Sequence, residues 1–124
     1  MLSKNQVVAV RKAIEASYIG TCTVTEYREK LRENKSTGFG EEVVLLNQPC
    51  RLSFERIVSA NPGQVVTELA QGVKVLIAPD INIKPGSKLT ITQNGVITEY
   101  RNSGEAAIYA THQEVMLDLF ERWA

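Results

Sequence analysis

The dipeptide Asn94-Gly95 constrains the fold more than any other feature, because it lies between two segments in which polar and apolar residues alternate. Asn-Gly favours the type I′ turn, which joins two antiparallel strands through a two-residue loop. The flanking segments, KLTIT before it and VITEY after it, are rich in the β-branched residues typical of strands. The dipeptide therefore predicts a hairpin with a fixed register, since a one-residue slip would turn Leu89 and Ile91 outward.

Other turns and alternating segments extend this pattern along the chain. Pro85 fixes its own φ and Gly86 accepts a positive φ, so Lys84-Pro85-Gly86-Ser87 predicts a type II turn. The segments TCTVTEY, VVLLN, CRLSFER and GVKVLIAP each have the composition of a short strand. Six or seven such strands predict a mainly β fold, a small antiparallel β-barrel or sandwich within residues 20–122.

The alternation also predicts which side chains face the core. On one segment Cys22 and Val24 point one way, and Thr23 and Thr25 point the other. On the next, one face carries Cys50, Leu52 and Phe54. Such alternation is typical of antiparallel strands with one buried face.

Residues 3–17 predict an N-terminal helix. Ser3 is a capping residue, and Gln6 three positions later completes a capping box. The apolar positions Val7, Val10, Ile14 and Tyr18 fall on one face. A helix of this length is marginal alone, so it must dock. It either packs on its own barrel or presents part of its surface to a neighbouring subunit.

The charged segment REKLRENKSTGFGEE, residues 28–42, has two glycines around a single phenylalanine and little apolar periodicity. It predicts a long hairpin tip or loop, which is either a solvated end or a contact arm for a partner. For the second alternative, the candidate subunit-contact residues are Lys30, Arg32, Lys35 and Phe39.

Two segments fit more than one structure. Residues 58–72 contain the turn signal Asn61-Pro62-Gly63 and then apolar residues that suit either a helical turn or a strand. The last segment, EVMLDLFERW, places Val115, Leu117 and Leu119 together as a strand, and it has a helical stripe ending at Trp123.

The size and net charge of the chain limit the classes of function that it can have. The 124 residues suit one domain, and 14 basic residues balance 14 acidic ones. A neutral chain without a basic stripe is a poor candidate for binding nucleic acid through phosphates. Because no apolar run approaches the length that spans a bilayer, we expect no membrane segment, and we expect no secretion signal.

The residues that could carry chemistry are few. Cys22 and Cys50 lie in separate strand candidates and are expected to be reduced, buried thiols. His112, the single histidine, has Thr111 and Glu114 within bonding reach along the chain, which suits a structural role. Two distant cysteines and one histidine are a poor zinc set, and no phosphate-binding glycine motif is present. We therefore expect no enzyme, metal or cofactor.

The carboxy-terminal half resembles that of phage head-closure proteins, the head–tail connector or stopper components of tailed phages and prophages, also called minor capsid proteins. The resemblance lies in a strand ending at Pro79, the turn and strand IKPGSKLTI, a hairpin, and then Tyr109, His112 and Glu114 before a last apolar segment. The amino-terminal order of a short helix, TCTVTEY, a charged loop and NQPCRLSFE is similar to that family as well.

The resemblance implies a small, non-catalytic β-barrel subunit whose last segment is a strand. Such subunits form a ring between the portal complex and the tail and help retain packaged DNA. The implied partners are portal, adaptor and tail proteins, other copies of the chain, and DNA in the lumen, with no membrane. The implied location is the virion, after assembly from the host cytoplasm. The alternative is a small β-barrel binding module for nucleic acid or protein.

Overall fold

The computed structural model describes residues 3–31, 37–59 and 68–123, and it gives the side chains of residues 30, 31, 56–59 and 68–71 no description. Within these residues lie one helix and six strands. They are α1 (Lys4–Glu15), β1 (Gly20–Leu31), β2 (Thr37–Ser59), β3 (Glu68–Ile77), β4 (Lys88–Gln93), β5 (Val96–Ile108) and β6 (Gln113–Leu119). The last segment is thus a strand, and the described ends of 58–72 belong to β2 and β3.

The six strands form one closed antiparallel barrel in the order β1-β2-β3-β6-β5-β4. Four of the neighbouring pairs are hairpins between strands consecutive in sequence, and the pairs β3–β6 and β1–β4 complete the wall. Closure pairs the strand edges that an open sheet would leave exposed to other chains. The predicted class, a mainly β barrel of six to seven strands with an N-terminal helix, is confirmed.

Alternate residues of all six strands fill the barrel. The fully buried core side chains are Cys22, Val24, Cys50, Val75, Ile77, Leu89, Ile91 and Val115. This confirms the predicted inward faces of the Asn-Gly hairpin and of the strands that carry the two cysteines. Each of these side chains contributes on the order of 1–3 kcal/mol through removal of apolar surface from water.

Two burial predictions were wrong. Thr25 is 5% exposed although it was assigned to the outer face. The β1–β2 register shifts on both sides of Val24 with the extra residues on β2, whereas the β1–β4 register stays regular up to the pair Thr25–Lys88, where β1 leaves the closed wall. Phe54 is 53% exposed although alternation places it on the inner side. It lies where β2 leaves the closed wall, because its partner Val73 is the last β3 residue paired with β6.

Helix α1 forms as predicted but packs less closely. The Ser3 hydroxyl accepts the Gln6 backbone N–H, and the Gln6 side chain accepts the Ser3 N–H, which completes the capping box. No helix residue is buried, and Val8 is 64% exposed. An ion pair of 3.1 Å joins Arg11 to Asp80 in the loop after β3. Of the predicted apolar stripe, Val7, Ile14 and Tyr18 are half-buried and Val10 is exposed, so the stripe is partly covered.

Both predicted turns are present. Asn94 and Gly95 have φ values of 54° and 77°, the two positive angles of a type I′ turn. Gly86 has φ 83°, and the Ser87 N–H donates to the Lys84 carbonyl at 3.1 Å. This closes the second turn at one mouth of the barrel.

Two buried amide side chains hold the loop 78–87 over that mouth. The Asn102 Nδ2 donates to the carbonyls of Ile83 and Lys84 at 3.1 and 3.2 Å. The Gln113 Nε2 donates to the carbonyls of Ala78 and Ile81. The loop therefore has partners for backbone groups that strand pairing leaves free, and it closes the core.

A third amide, that of Gln93, completes the wall where β1 begins. Its Oε1 accepts the Leu52 N–H at 2.8 Å, and its Nε2 donates to the Leu52 carbonyl at 3.5 Å. Because β1 starts at Gly20 opposite Cys50, Leu52 has no β1 residue to pair with. The side chain supplies the two hydrogen bonds that a further β1 residue would make.

Replacing Gln93 with methionine is expected to lower the free energy of unfolding by about 2 kcal/mol, since the Leu52 amide loses its partner at little change in volume. Urea unfolding measures the change. Gln48→Met is the matched control, because the Gln48 amide donates to the Leu46 carbonyl on an exposed stretch. Equal stabilities of the two variants would contradict the role of Gln93.

Candidate assembly surface

Two two-stranded ribbons extend from the barrel. β1 pairs with β4 only from Thr21 to Thr25, so beyond Thr25 it pairs with β2 alone, residues 26–31 against 37–42. We call this ribbon the first arm. At the other end of β2, residues 55–59 pair with 68–72 of β3, where β3 has no pairing with β6. We call this ribbon the second arm.

The strand β2 runs through both arms and through the wall between them. It has 23 residues, which corresponds to about 75 Å if the strand is straight. By contrast, β4 has 6 residues and β6 has 7, lengths that suit a barrel wall alone. Because one continuous strand supplies both arms, they leave opposite ends of the barrel.

Of the two predictions for residues 28–42, the end of a hairpin agrees with the structure and the loop is corrected, since most of the segment is strand. Residues 28–31 continue β1 and residues 37–42 begin β2. The loop prediction rested on the absence of apolar periodicity. A two-stranded ribbon outside the barrel has neither face in a core, so its strands need no alternation.

The structure describes the four candidate contact residues to different extents. Phe39 lies on β2 in the first arm and is 65% exposed. Lys30 is on β1, where its backbone alone is described. Arg32 and Lys35 lie outside the described residues. Phe39 and Lys30 are near each other in the ribbon, since Lys30 pairs with Gly38.

An aromatic cluster lies at the base of the first arm. The Tyr27 ring stacks between Phe39, with ring centroids 5.7 Å apart, and Trp123, at 5.3 Å. Phe120 meets Trp123 edge to face at 4.9 Å. The sequence pattern places Trp123 on a helical stripe in one of its two interpretations and gives no sign of the cluster, because the members of the cluster come from distant parts of the chain.

Lys88 of β4 joins the cluster to the barrel. Its Nζ lies 2.8 Å from the Glu41 carboxylate and 5.1 and 5.8 Å from the centroids of Phe120 and Trp123. The Trp123 Nε1–H donates to Glu41 at 3.0 Å. The Lys88 side chain is 12% exposed, so these cation–π contacts are shielded from water and correspondingly stronger.

Charges at the base of the first arm are mutually paired. Arg28 lies 2.7 Å from Glu26 and 3.2 Å from Glu42, and Lys84 lies 3.8 Å from Glu26. The hydrogen bond to Glu26 is the largest cause that raises the Arg28 pKa. Among the described side chains at this base, the cations Arg28 and Lys84 are thus paired with carboxylates and do not form the positive excess that phosphate binding needs.

His112 is held on both ring nitrogens, and it stacks on Tyr109 with centroids 4.9 Å apart. The Thr111 hydroxyl lies 3.0 Å from Nδ1, and the Glu114 carboxylate lies 3.2 Å from Nε2. Glu114 is in turn 2.6 Å from Lys74. Both partners suggested by the sequence thus contact the ring, in an arrangement that fixes its orientation at the start of β6.

The Glu114 carboxylate predicts a pH dependence of stability. Its pKa is lowered from the usual 4.5, chiefly by the hydrogen bond from Lys74. A pKa depressed by folding stabilises the protein above the unfolded value, and this contribution is lost as pH falls through the folded value. We therefore expect wild-type Tm to decline below about pH 4.5.

The variant Glu114→Gln isolates that contribution. Its Tm is expected to be lower than that of the wild type near pH 6, and the difference should shrink towards pH 3. Glu121→Gln is the matched control, because Glu121 is exposed near the C-terminus. A Tm difference that is constant with pH would contradict the assignment.

Cys22 and Cys50 are free, fully buried and close enough to interact. Hydrogen bonding to Cys50, followed by burial, raises the pKa of the Cys22 thiol. A buried thiol that stays protonated is a poor nucleophile. Among the described residues, no group of three or more His, Cys, Asp or Glu side chains is placed to bind a metal ion.

Comparisons with known proteins give a structural likeness. No protein-family model and no curated protein matches the chain. A solved structure that is similar is the phage-like element PBSX protein xkdH from Bacillus subtilis, at 11% identity and a TM-score of 0.47. The likeness covers 80% of this chain and 91% of that chain. Within the described residues, no helix is long and apolar enough to span a membrane.

Proposed function

We propose that the protein is a structural subunit of the head–tail connector of a tailed phage or prophage, a head-closure component that forms a ring between the portal complex and the tail. The observation that supports this best is the pair of arms at opposite ends of a closed barrel. The resemblance of the turn and strand order to head-closure proteins is the reason for proposing this family.

The arms suit a subunit with neighbours on several sides. A ring needs heterologous contacts, in which one surface of a subunit meets a different surface of the next. The barrel supplies a rigid body for such contacts. The first arm, with Phe39 exposed and with Lys30, Arg32 and Lys35 in and next to it, is our proposed subunit contact. Portal, adaptor and tail proteins would engage the two ends, and packaged DNA would pass through the lumen.

The described chemistry is compatible with a non-enzymatic role and no cofactor. The imidazole of His112 has a partner on each nitrogen, and the thiols of Cys22 and Cys50 are buried. The proposed location is the virion, with the protein in the host cytoplasm before assembly.

Assembly of the purified protein tests the proposal. Mass measurement in solution, alone and with a portal-complex partner, is expected to show a multi-subunit complex when the partner is present. Deletion of residues 31–40 should leave a folded barrel but abolish that complex, and normal assembly would overturn the role of the first arm. The absence of any complex with portal, adaptor or tail proteins would overturn the proposed function.

A point substitution makes the same test without shortening the chain. Phe39→Ser is expected to weaken assembly, whereas Ile97→Ser is the matched control, since the two side chains are 65% and 68% exposed. Salt-sensitive retention on oligonucleotides in place of assembly would instead favour the nucleic-acid-binding module.

A further inference from the structure

We propose that residues 120–123 act as a releasable clasp that holds the first arm in one orientation on the barrel. After β6 ends at Leu119, the Phe120 N–H still donates to the Glu99 carbonyl of β5 at 3.1 Å. The chain then passes outside β4, where Phe120 lies beside Lys88, and ends its described course against Tyr27 of the arm. The clasp thus connects β6 to the arm across the intervening strands.

Trp123 contacts both strands of the first arm at once. Its ring stacks on Tyr27 of β1, with an angle of 16° between the planes, and its Nε1–H donates to Glu41 of β2. No backbone pairing joins residues 26–31 to β4, whose pairing with β1 ends at Thr25. Side chains at the arm base therefore help to set the angle between the arm and the barrel, and Trp123, Lys88 and Lys84 make such contacts.

The same contacts make the clasp releasable. Residues 121–123 make no backbone–backbone hydrogen bond within the described part of the chain, and Glu121 and Arg122 are exposed. Opening of residues 121–123 therefore breaks ring stacking, a cation–π contact and one indole hydrogen bond, and no strand pairing has to break with them. A conformational device with these properties lets an arm turn without unfolding the barrel. It is a property of the single chain and does not depend on ring formation.

Hydrogen exchange on the isolated protein tests the clasp. In Trp123→Ala, amides of residues 26–31 and 37–42 are expected to exchange about tenfold faster, while those of Cys22, Val75 and Ile91 keep their protection. Trp123→Phe retains the stacking and should recover most of the protection. Ile97→Ala, at another exposed site, is the control. Unchanged exchange in the arm, or equal loss of protection in the core, would overturn the proposal.

Fluorescence gives a second test that leaves the clasp sequence intact. Trp123 is the single tryptophan of the chain, so its emission reports the clasp alone. Tyr27→Leu removes the arm side of the stack, and we expect red-shifted emission and stronger acrylamide quenching with an unchanged far-ultraviolet circular dichroism spectrum. Emission and quenching equal to those of the wild type would overturn the proposal, whatever the assembly experiments show.

Discussion

Replacing Gly20 with valine is expected to lower the free energy of unfolding by about 3 kcal/mol or more, a large part of the stability of a small domain. A Cβ at this position would lie 2.9 Å from the Thr92 carbonyl oxygen and 3.4 Å from that of Cys50. Both oxygens belong to the backbone of neighbouring strands, so neither can move without disturbing the barrel wall. The Gln93 Oε1 lies 3.3 Å away, so its bond to Leu52 is disturbed too.

Urea unfolding followed by circular dichroism measures this loss. Gly20→Ala is expected to fall between the wild type and Gly20→Val, because it adds the clashing Cβ without the two further methyl groups. Thr21→Val is the matched control, since Thr21 is the next residue of the same strand and is exposed. A Gly20→Val variant as stable as Thr21→Val would show that the wall accommodates a side chain there.

Replacing Asn102 with leucine is expected to cost about 4 kcal/mol, because it removes several hydrogen bonds in a buried place without removing the groups they satisfy. The Ile83 carbonyl loses its donor, the Lys84 carbonyl loses one of two donors, and the Gly104 N–H loses an acceptor at 2.9 Å. Asn102 is 4% exposed, so water does not readily replace the side chain. The loop 78–87 should loosen first, because these bonds hold it over the barrel mouth.

Thermal unfolding and hydrogen exchange together check this expectation. Exchange at Gly86 and Ser87 should accelerate more than exchange at Val24 or Leu89 in the core. Ser103→Ala is the control, since the Ser103 hydroxyl accepts one long bond of 3.4 Å from the next-but-one residue on the exposed bulge of β5. If Asn102→Leu matched Ser103→Ala in Tm, the loop would be held by other contacts.

Local turn chemistry made the hairpin and the mainly β class predictable. The φ angles at Asn94 and Gly95 and the closed turn at Pro85-Gly86 follow from residue types whose conformations are restricted within a few bonds. Capping of α1 is equally local, which explains why Ser3 and Gln6 were identified correctly. The strand character of residues 113–119, by contrast, needed the family resemblance, since its pattern also suited a helix.

The arms were less predictable for a physical reason. Polar and apolar residues alternate along a strand when one of its faces is buried. A ribbon with both faces in solvent has no buried face, so its sequence shows no such alternation. Residues 28–31 and 37–42 therefore looked like loop although they form strand. For Phe54 the alternation is present but misleading. The pattern predicts an inward side chain, yet Phe54 is exposed because it lies where the β3–β6 pairing ends.

Local sequence was sufficient for the Asn94-Gly95 hairpin, the helix cap and most of the inward-facing core positions, because each depends on residues within a few positions of one another. Tertiary structure alone decided the extent of β2, the amide bonds of Gln93, Asn102 and Gln113, and the contact between Trp123 and the first arm. The long-range hydrogen bonds among these join residues from 18 to 82 positions apart, and the stack of Trp123 on Tyr27 joins residues still further apart. Contacts over such distances depend on how the barrel closes, and no local pattern encodes that closure.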